Sequence, residues 1–156
     1  MKALGLAVML CATLAAGAAR ADTAAEVESL YRSFAAAQNA RDLSMVKALL
    51  LDSPQFLWVS DGKSIWGREA TIKRMSLFQE NETWRVEPDL AHAAVVPLGA
   101  DVAYYHLSLD LVIGAKGVPP ERIGFLISML CVRTETGWRI AALFTSARNP
   151  AAEGGS

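Results

Sequence analysis

Three long strand-like runs in close succession constrain this chain more than any other feature. Asp101–Ile113, Arg122–Thr134 and Trp138–Thr145 are rich in β-branched and aromatic residues, and only Gly114–Pro120 or Glu135-Thr136-Gly137 separates them. Connections this short force antiparallel pairing, because a parallel crossover needs a longer path. An antiparallel sheet with strands of this length twists strongly and has an apolar face that must be covered. The first half of the chain supplies helices suited to covering it.

The extreme N-terminus reads as something else. Met1-Lys2 is a short positive start, and Ala3–Ala19 is apolar apart from Gly5, Thr13 and Gly17. Ala19-Arg20-Ala21 fits a small-x-small cleavage site, so residues 1–21 are expected to be a signal peptide and Asp22 the first mature residue. The most apolar part, Leu4–Leu14, is too short to span a bilayer. Leu10 stands where a lipidation signal would need a small residue before Cys11. The expected destination is periplasmic or secreted, with no membrane attachment after cleavage.

Removing 21 residues from 156 leaves 135, which suits one domain with one core over residues 22–148, followed by a disordered tail over 149–156. Of the 15 basic residues, loss of Lys2 and Arg20 leaves 13 against 16 acids, a net charge of −3. With no basic cluster, nucleic-acid binding is not expected. Cys131 is then the only cysteine, so no internal disulfide forms, and its place in an apolar strand reads as packing.

In order, Thr23-Ala24-Ala25-Glu26 resembles a capping box, and Val27, Leu30, Tyr31 and Phe34 form an apolar stripe on a helix from Ala24 to Ala40. Asp42 caps a second helix over Leu43–Leu51, with Met45, Val46, Leu49 and Leu50 inward. Phe56–Val59, the turn Ser60-Asp61-Gly62-Lys63 and Ser64–Trp66 form a hairpin. A third helix runs from Glu69 to Glu80, with Ile72, Met75 and either Leu77 or Phe78 on its buried side. Thr83–Val96 reads as a strand distorted near Pro88, where a ladder hydrogen bond is lost.

The fold class is therefore α+β, in the order α-α-β-β-α-β-β-β-β. That order, the passage Asp61-Gly62…Gly67-Arg68-Glu69-Ala70 and the closing Gly137-Trp138-Arg139-Ile140 resemble the nuclear transport factor 2-like superfamily, and within it the SnoaL-like and ketosteroid-isomerase-like small proteins. The resemblance covers Thr23–Ala147. It implies a strongly curved antiparallel sheet wrapped around the helices as a cone, with a pocket at the open end. It also implies pairing through the sheet. Ile123, Phe125, Ile127 and Met129 make one face of their strand apolar, and Leu126, Leu130 and Val132 do the same for the other, so the outer face needs either a second copy, the expected cover, or a loop or the tail of the same chain.

This superfamily's pockets host isomerases, dehydratases and plain binding proteins, so the residues must decide. His106 and Asp110, four apart, share a strand face with Ser108 and are the candidate catalytic base and partner. Two observations count against them. Four strand residues span about 13 Å, and Tyr105, Leu107, Leu109 and Leu111 read as the core face, leaving His106 and Asp110 outside. Asp61 is a pocket-rim carboxylate or an ordinary turn residue, and Arg122 faces a ligand anion or solvent.

Tyr31, Phe34, Trp58, Trp66 and Phe144 belong to the core, some lining a cavity. Related proteins often carry a histidine near the end of the last strand. Counting from Trp138 and Ile140 puts Ala142 and Phe144 on that wall, making it apolar. Asp89 and His92 fall on opposite faces of a regular strand, and no metal-ligand spacing, nucleophile elbow or nucleotide fingerprint occurs. The expected activity is cofactor-independent binding of a small hydrophobic molecule by a homodimer, with Tyr31, Phe34, Trp58, Asp61, Ala142 and Phe144 lining the pocket. The alternatives are a cofactor-independent isomerase, dehydratase or cyclase, with Tyr31 as hydrogen-bond donor, and an interaction module using the sheet face.

Overall fold

A computed structural model describes the backbone of residues 4–149 and the side chains of residues 22–149. The leader expected over 1–21 and the tail expected over 149–156 fall outside these bounds, apart from the backbone of 4–21 and Asn149. The first helix, α1 (Leu4–Asn39), extends the one predicted from Ala24. Its inward stripe is the expected one, with Val27, Leu30, Tyr31 and Phe34 all buried. Thr23 does not begin a helix, so the expected capping box is absent. Glu26 is used differently: it accepts hydrogen bonds from Arg133 Nη2 and, at 2.9 Å, from Trp138 Nε1, tying α1 to the last two strands.

Asp42 caps α2 (Leu43–Leu49) as predicted, its carboxylate accepting from the Met45 amide at 2.9 Å. Val46 and Leu50 point inward, while Met45 is 49% exposed, contrary to expectation. The short strands β1 (Leu57–Ser60) and β2 (Lys63–Trp66) form the predicted hairpin. Asp61 (φ 52°) and Gly62 (φ 67°) both take left-handed conformations, as a two-residue primed turn requires. Trp66, expected in the core, is exposed at the sheet edge. Helix α3 (Arg68–Phe78) follows, burying Met75, with Ile72 and Phe78 packed on the core and Leu77 left outside.

The strand predicted over Thr83–Val96 is two strands, β3 (Thr83–Pro88) and β4 (Ala94–Pro97), with a 3₁₀ turn at Leu90–His92 between them. Both pair with β5 (Val102–Gly114), β3 along Leu109–Gly114 and β4 along Ala103–His106. Asp89 opens the turn, and its carboxylate lies 2.8 Å from His92 Nδ1, so the two residues pair after all. That contact holds the Asp89 carboxyl below its ordinary range. The outer edge of β3 at Val86 is capped by Asn39, whose amide donates to Val86 O at 2.9 Å and accepts from Val86 N at 2.7 Å. The end of α1 thus acts as a one-residue strand partner.

Strands β5, β6 (Glu121–Thr134) and β7 (Gly137–Ala147) form the expected antiparallel set. The seven-stranded sheet runs β2-β1-β7-β6-β5-β3, with β4 also on β5. It is mixed rather than purely antiparallel, because β1 lies parallel to β7. The helices fill its concave side, giving the cone. Cys131 packs in this core, where burial pushes its thiol up to about 12.

Candidate functional site

Between the helices and the sheet lies a cavity of about 220 Å³. Alternation along the long strands builds its floor: Leu109, Leu111 and Ile113 of β5 and Ile123, Phe125 and Ile127 of β6 face it. Tyr31, Phe34 and Gln38 of α1 close one side, spaced so that one helical face presents all three. Trp58, Ser60 and Asp61 come from the β1 hairpin, Met75 and Phe78 from α3, and Trp84 and Val86 from β3. The last wall is Leu143 and Thr145 of β7.

Four of the expected lining residues, Tyr31, Phe34, Trp58 and Asp61, are therefore at the cavity. Ala142 and Phe144 are not. Opposite β6, Leu130 pairs with Ala142 but Cys131 pairs with Ile140, so Ala141 is an extra residue in β7. This bulge reverses the alternation: Trp138 and Ile140 face the core before it, Leu143 and Thr145 after it. Phe144 lies on the opposite face, 39% exposed.

His106 and Asp110 also lie on the outer face. His106 Nδ1 is 3.0 Å from Ser128 Oγ, and the Tyr104 hydroxyl donates to the same Ser128 at 2.9 Å. Asp110 accepts from Arg122 and from Arg148, each at 3.0 Å, and Arg122 also pairs with Glu87. The two candidates share a face, as four-residue spacing requires, but each has its own partners and neither reaches the cavity. Among the described residues no group of three or more His, Cys, Asp or Glu could hold a metal ion.

The polar groups at the cavity are few. At its rim, Asp61 accepts from Arg74 Nη2 at 3.0 Å. The Arg74 guanidinium lies over Phe78 (5.2 Å to the ring centre) and Trp58 (5.6 Å). Trp58 Nε1 donates to Thr145 Oγ1 at 3.1 Å. The Tyr31 hydroxyl and Trp84 Nε1 are shielded from solvent and have no partner among the described residues. Tyr31 is 1% exposed, and burial, reinforced by neighbouring Tyr105, moves its phenol upward, so it is a neutral hydroxyl. Tyr105 lies 5.1 Å away ring to ring and is itself pushed up to about 12 by burial.

Leu143 and Trp84 were not legible as cavity residues, whereas Thr145, a polar group the sequence offers to the pocket, is at the cavity. The first depends on the bulge. Trp84 shares a strand face with Val86, and that period-two pattern was its only signal.

This chain belongs to the SnoaL-like domain family, whose pattern residues 27–150 match. No curated protein matches it. Solved structures share the fold. A nuclear transport factor 2-like superfamily protein from Salmonella enterica serovar Typhimurium superposes with a TM-score of 0.74 at 15% identity, covering 84% of this chain and 94% of that one. A ketosteroid isomerase-like protein from Erwinia carotovora gives 0.67 at 20% identity, covering 81% and 96%. A Streptomyces avermitilis protein of the same superfamily, named provisionally as a dehydratase, gives 0.72 at 18%, covering 82% and 99%. At these identities the likeness is one of fold.

Proposed function

We propose that this chain is an exported small-molecule-binding protein whose cavity takes an uncharged, apolar compound, working as a homodimer paired through the outer face of its sheet. The observation that carries the reading is the character of the wall. Among its described residues only Asp61 is charged, and Arg74 engages that carboxylate. Gln38, Ser60 and Thr145 are the neutral polar residues of the wall, and the rest is aliphatic or aromatic, an environment that favours apolar surface and penalises charge. The volume limits the occupant: a cavity of roughly 150 Å³ admits benzene, and drug-sized ligands need roughly 300–1,000 Å³. A compound of one or two fused rings fits between these limits.

The catalytic alternative has less support. Its base cannot be His106 or Asp110 without leaving the outer face, and the remaining carboxylate, Asp61, is already paired. Isomerase-like and dehydratase-named relatives keep that alternative in view, with Tyr31 as the donor and Asp61 as the base. Export rests on the leader-like N-terminus. Among the described residues, no helix is long and apolar enough to cross a membrane.

Isothermal titration with indane, a two-ring hydrocarbon, tests the binding reading. Wild type should bind it. Ile123→Phe, which fills space at a half-buried wall position, should weaken binding at least tenfold while circular dichroism stays unchanged. Equal binding by both proteins would place the hydrocarbon elsewhere and refute the reading.

A further inference from the structure

We infer that Trp84 selects the cavity's ligand, receiving an uncharged hydrogen-bond acceptor such as a ketone, ester or ether oxygen on its indole N–H. The inference rests on the binding reading above and deepens it. Two indoles line this cavity, and they are in different states. Trp58 Nε1 is satisfied by Thr145 Oγ1, whereas Trp84 Nε1 is buried without a partner. An indole nitrogen can only donate, and a buried donor without an acceptor is a cost that protein interiors generally avoid. The Trp84 nitrogen has almost no surface open to the cavity, so an acceptor reaches it only where neighbouring wall side chains give way.

Trp84 is also fixed in place. Its ring stacks on Phe78, with centres 6.1 Å apart and planes 25° apart, and its backbone pairs with Ile113 of β5. A fixed donor at the Ile113 end of a largely apolar wall gives an acceptor-bearing ligand one preferred orientation. The acceptor must be uncharged. The nearby cation, Arg74, is already bound by Asp61, so an anion would bring uncompensated charge against aliphatic side chains. Tyr31 is the other lining residue with an unpartnered donor, but it packs against Tyr105, eight residues along β5 from Ile113. The two donors therefore address different parts of a ligand.

The matched pair indane and 1-indanone, which differ by one carbonyl, tests this. On wild type, 1-indanone should bind about tenfold more tightly, and the ¹⁵N-indole resonance of Trp84, but not that of Trp58, should move downfield with 1-indanone only. Trp84→Phe keeps an aromatic ring against Phe78. Whatever it does to indane affinity, the ratio of 1-indanone to indane affinity should fall to about one. The resonance measurement stands even if this variant folds poorly. Equal affinities, a stationary Trp84 resonance, or a preference that survives in a folded Trp84→Phe would each overturn the assignment while leaving the binding reading intact. Failure of both compounds to bind would overturn the two together.

Discussion

At the scale of single residues, Tyr31 shows how a site can be read from what it lacks. It belongs to the core stripe of α1, and its ring packs with Phe34 and Tyr105, yet its hydroxyl bonds to nothing described. Such a hydroxyl contributes nothing to folding in return for its desolvation. Tyr31→Phe should therefore leave stability unchanged or raise it by up to about 1 kcal/mol, a rise of up to about 4 °C in Tm. Thermal unfolding checks this, and a loss beyond about 2 kcal/mol would mean that the hydroxyl has a structural partner. His106 and Asp110 teach the converse. Both are polar, on one face and conspicuous in sequence, and both are engaged on the outer face, His106 by Ser128 and Asp110 by Arg122 and Arg148.

At the scale of elements, the tie between α1 and the last two strands runs through Glu26. Hydrogen bonding from Arg133, and secondarily from Trp138, holds its carboxyl below the ordinary 4.5. A carboxyl lowered in the folded state adds stability that is present above the unfolded pKa and is lost as pH falls through the folded one. Wild type should thus unfold at a higher temperature than Glu26→Gln near pH 7, with the two midpoints converging as pH falls through the lowered pKa of the folded carboxyl. A gap that persists unchanged in acid would assign the difference to packing instead. Arg133 also stacks over the Trp138 ring at 4.8 Å, which this substitution leaves in place.

Element types and order were legible because periodicity reports which side of an element is buried. The stripe Val27, Leu30, Tyr31, Phe34 and the alternation of β5 and β6 locate the core directly. Two things were not legible. The Ala141 bulge in β7 reverses facing with no residue type to announce it, so counting forward from Ile140 picked Ala142 and Phe144 instead of Leu143 and Thr145. The 3₁₀ turn after Pro88 brings Asp89 to His92, where a regular strand would separate them. Both are local departures from a period, and a pattern argument fails at such departures.

At the scale of the whole molecule, the sheet has two faces with different fates. The concave face holds the helices and the cavity. The outer face leaves Tyr104, Leu126 and Phe144 between 37% and 39% exposed on three adjacent strands, β5, β6 and β7. Pairing of two copies through this face would cover it, and sedimentation velocity should show a dimer. Phe144→Asp, which plants a charge in that face while sparing the cavity, should give a monomer of unchanged secondary structure. A monomeric wild type at micromolar concentration would remove the dimer from the account.

The central claim is that the cavity, and not the outer face, receives a small apolar molecule. Methyl-labelled NMR of the protein titrated with indane tests it most directly. The account predicts shifts at Leu109, Leu111, Ile113, Ile123, Ile127 and Leu143, whose side chains line the cavity, with Leu126 and Leu130 unmoved. Shifts confined to Leu126 and Leu130, or no shifts at a saturating concentration, would contradict it.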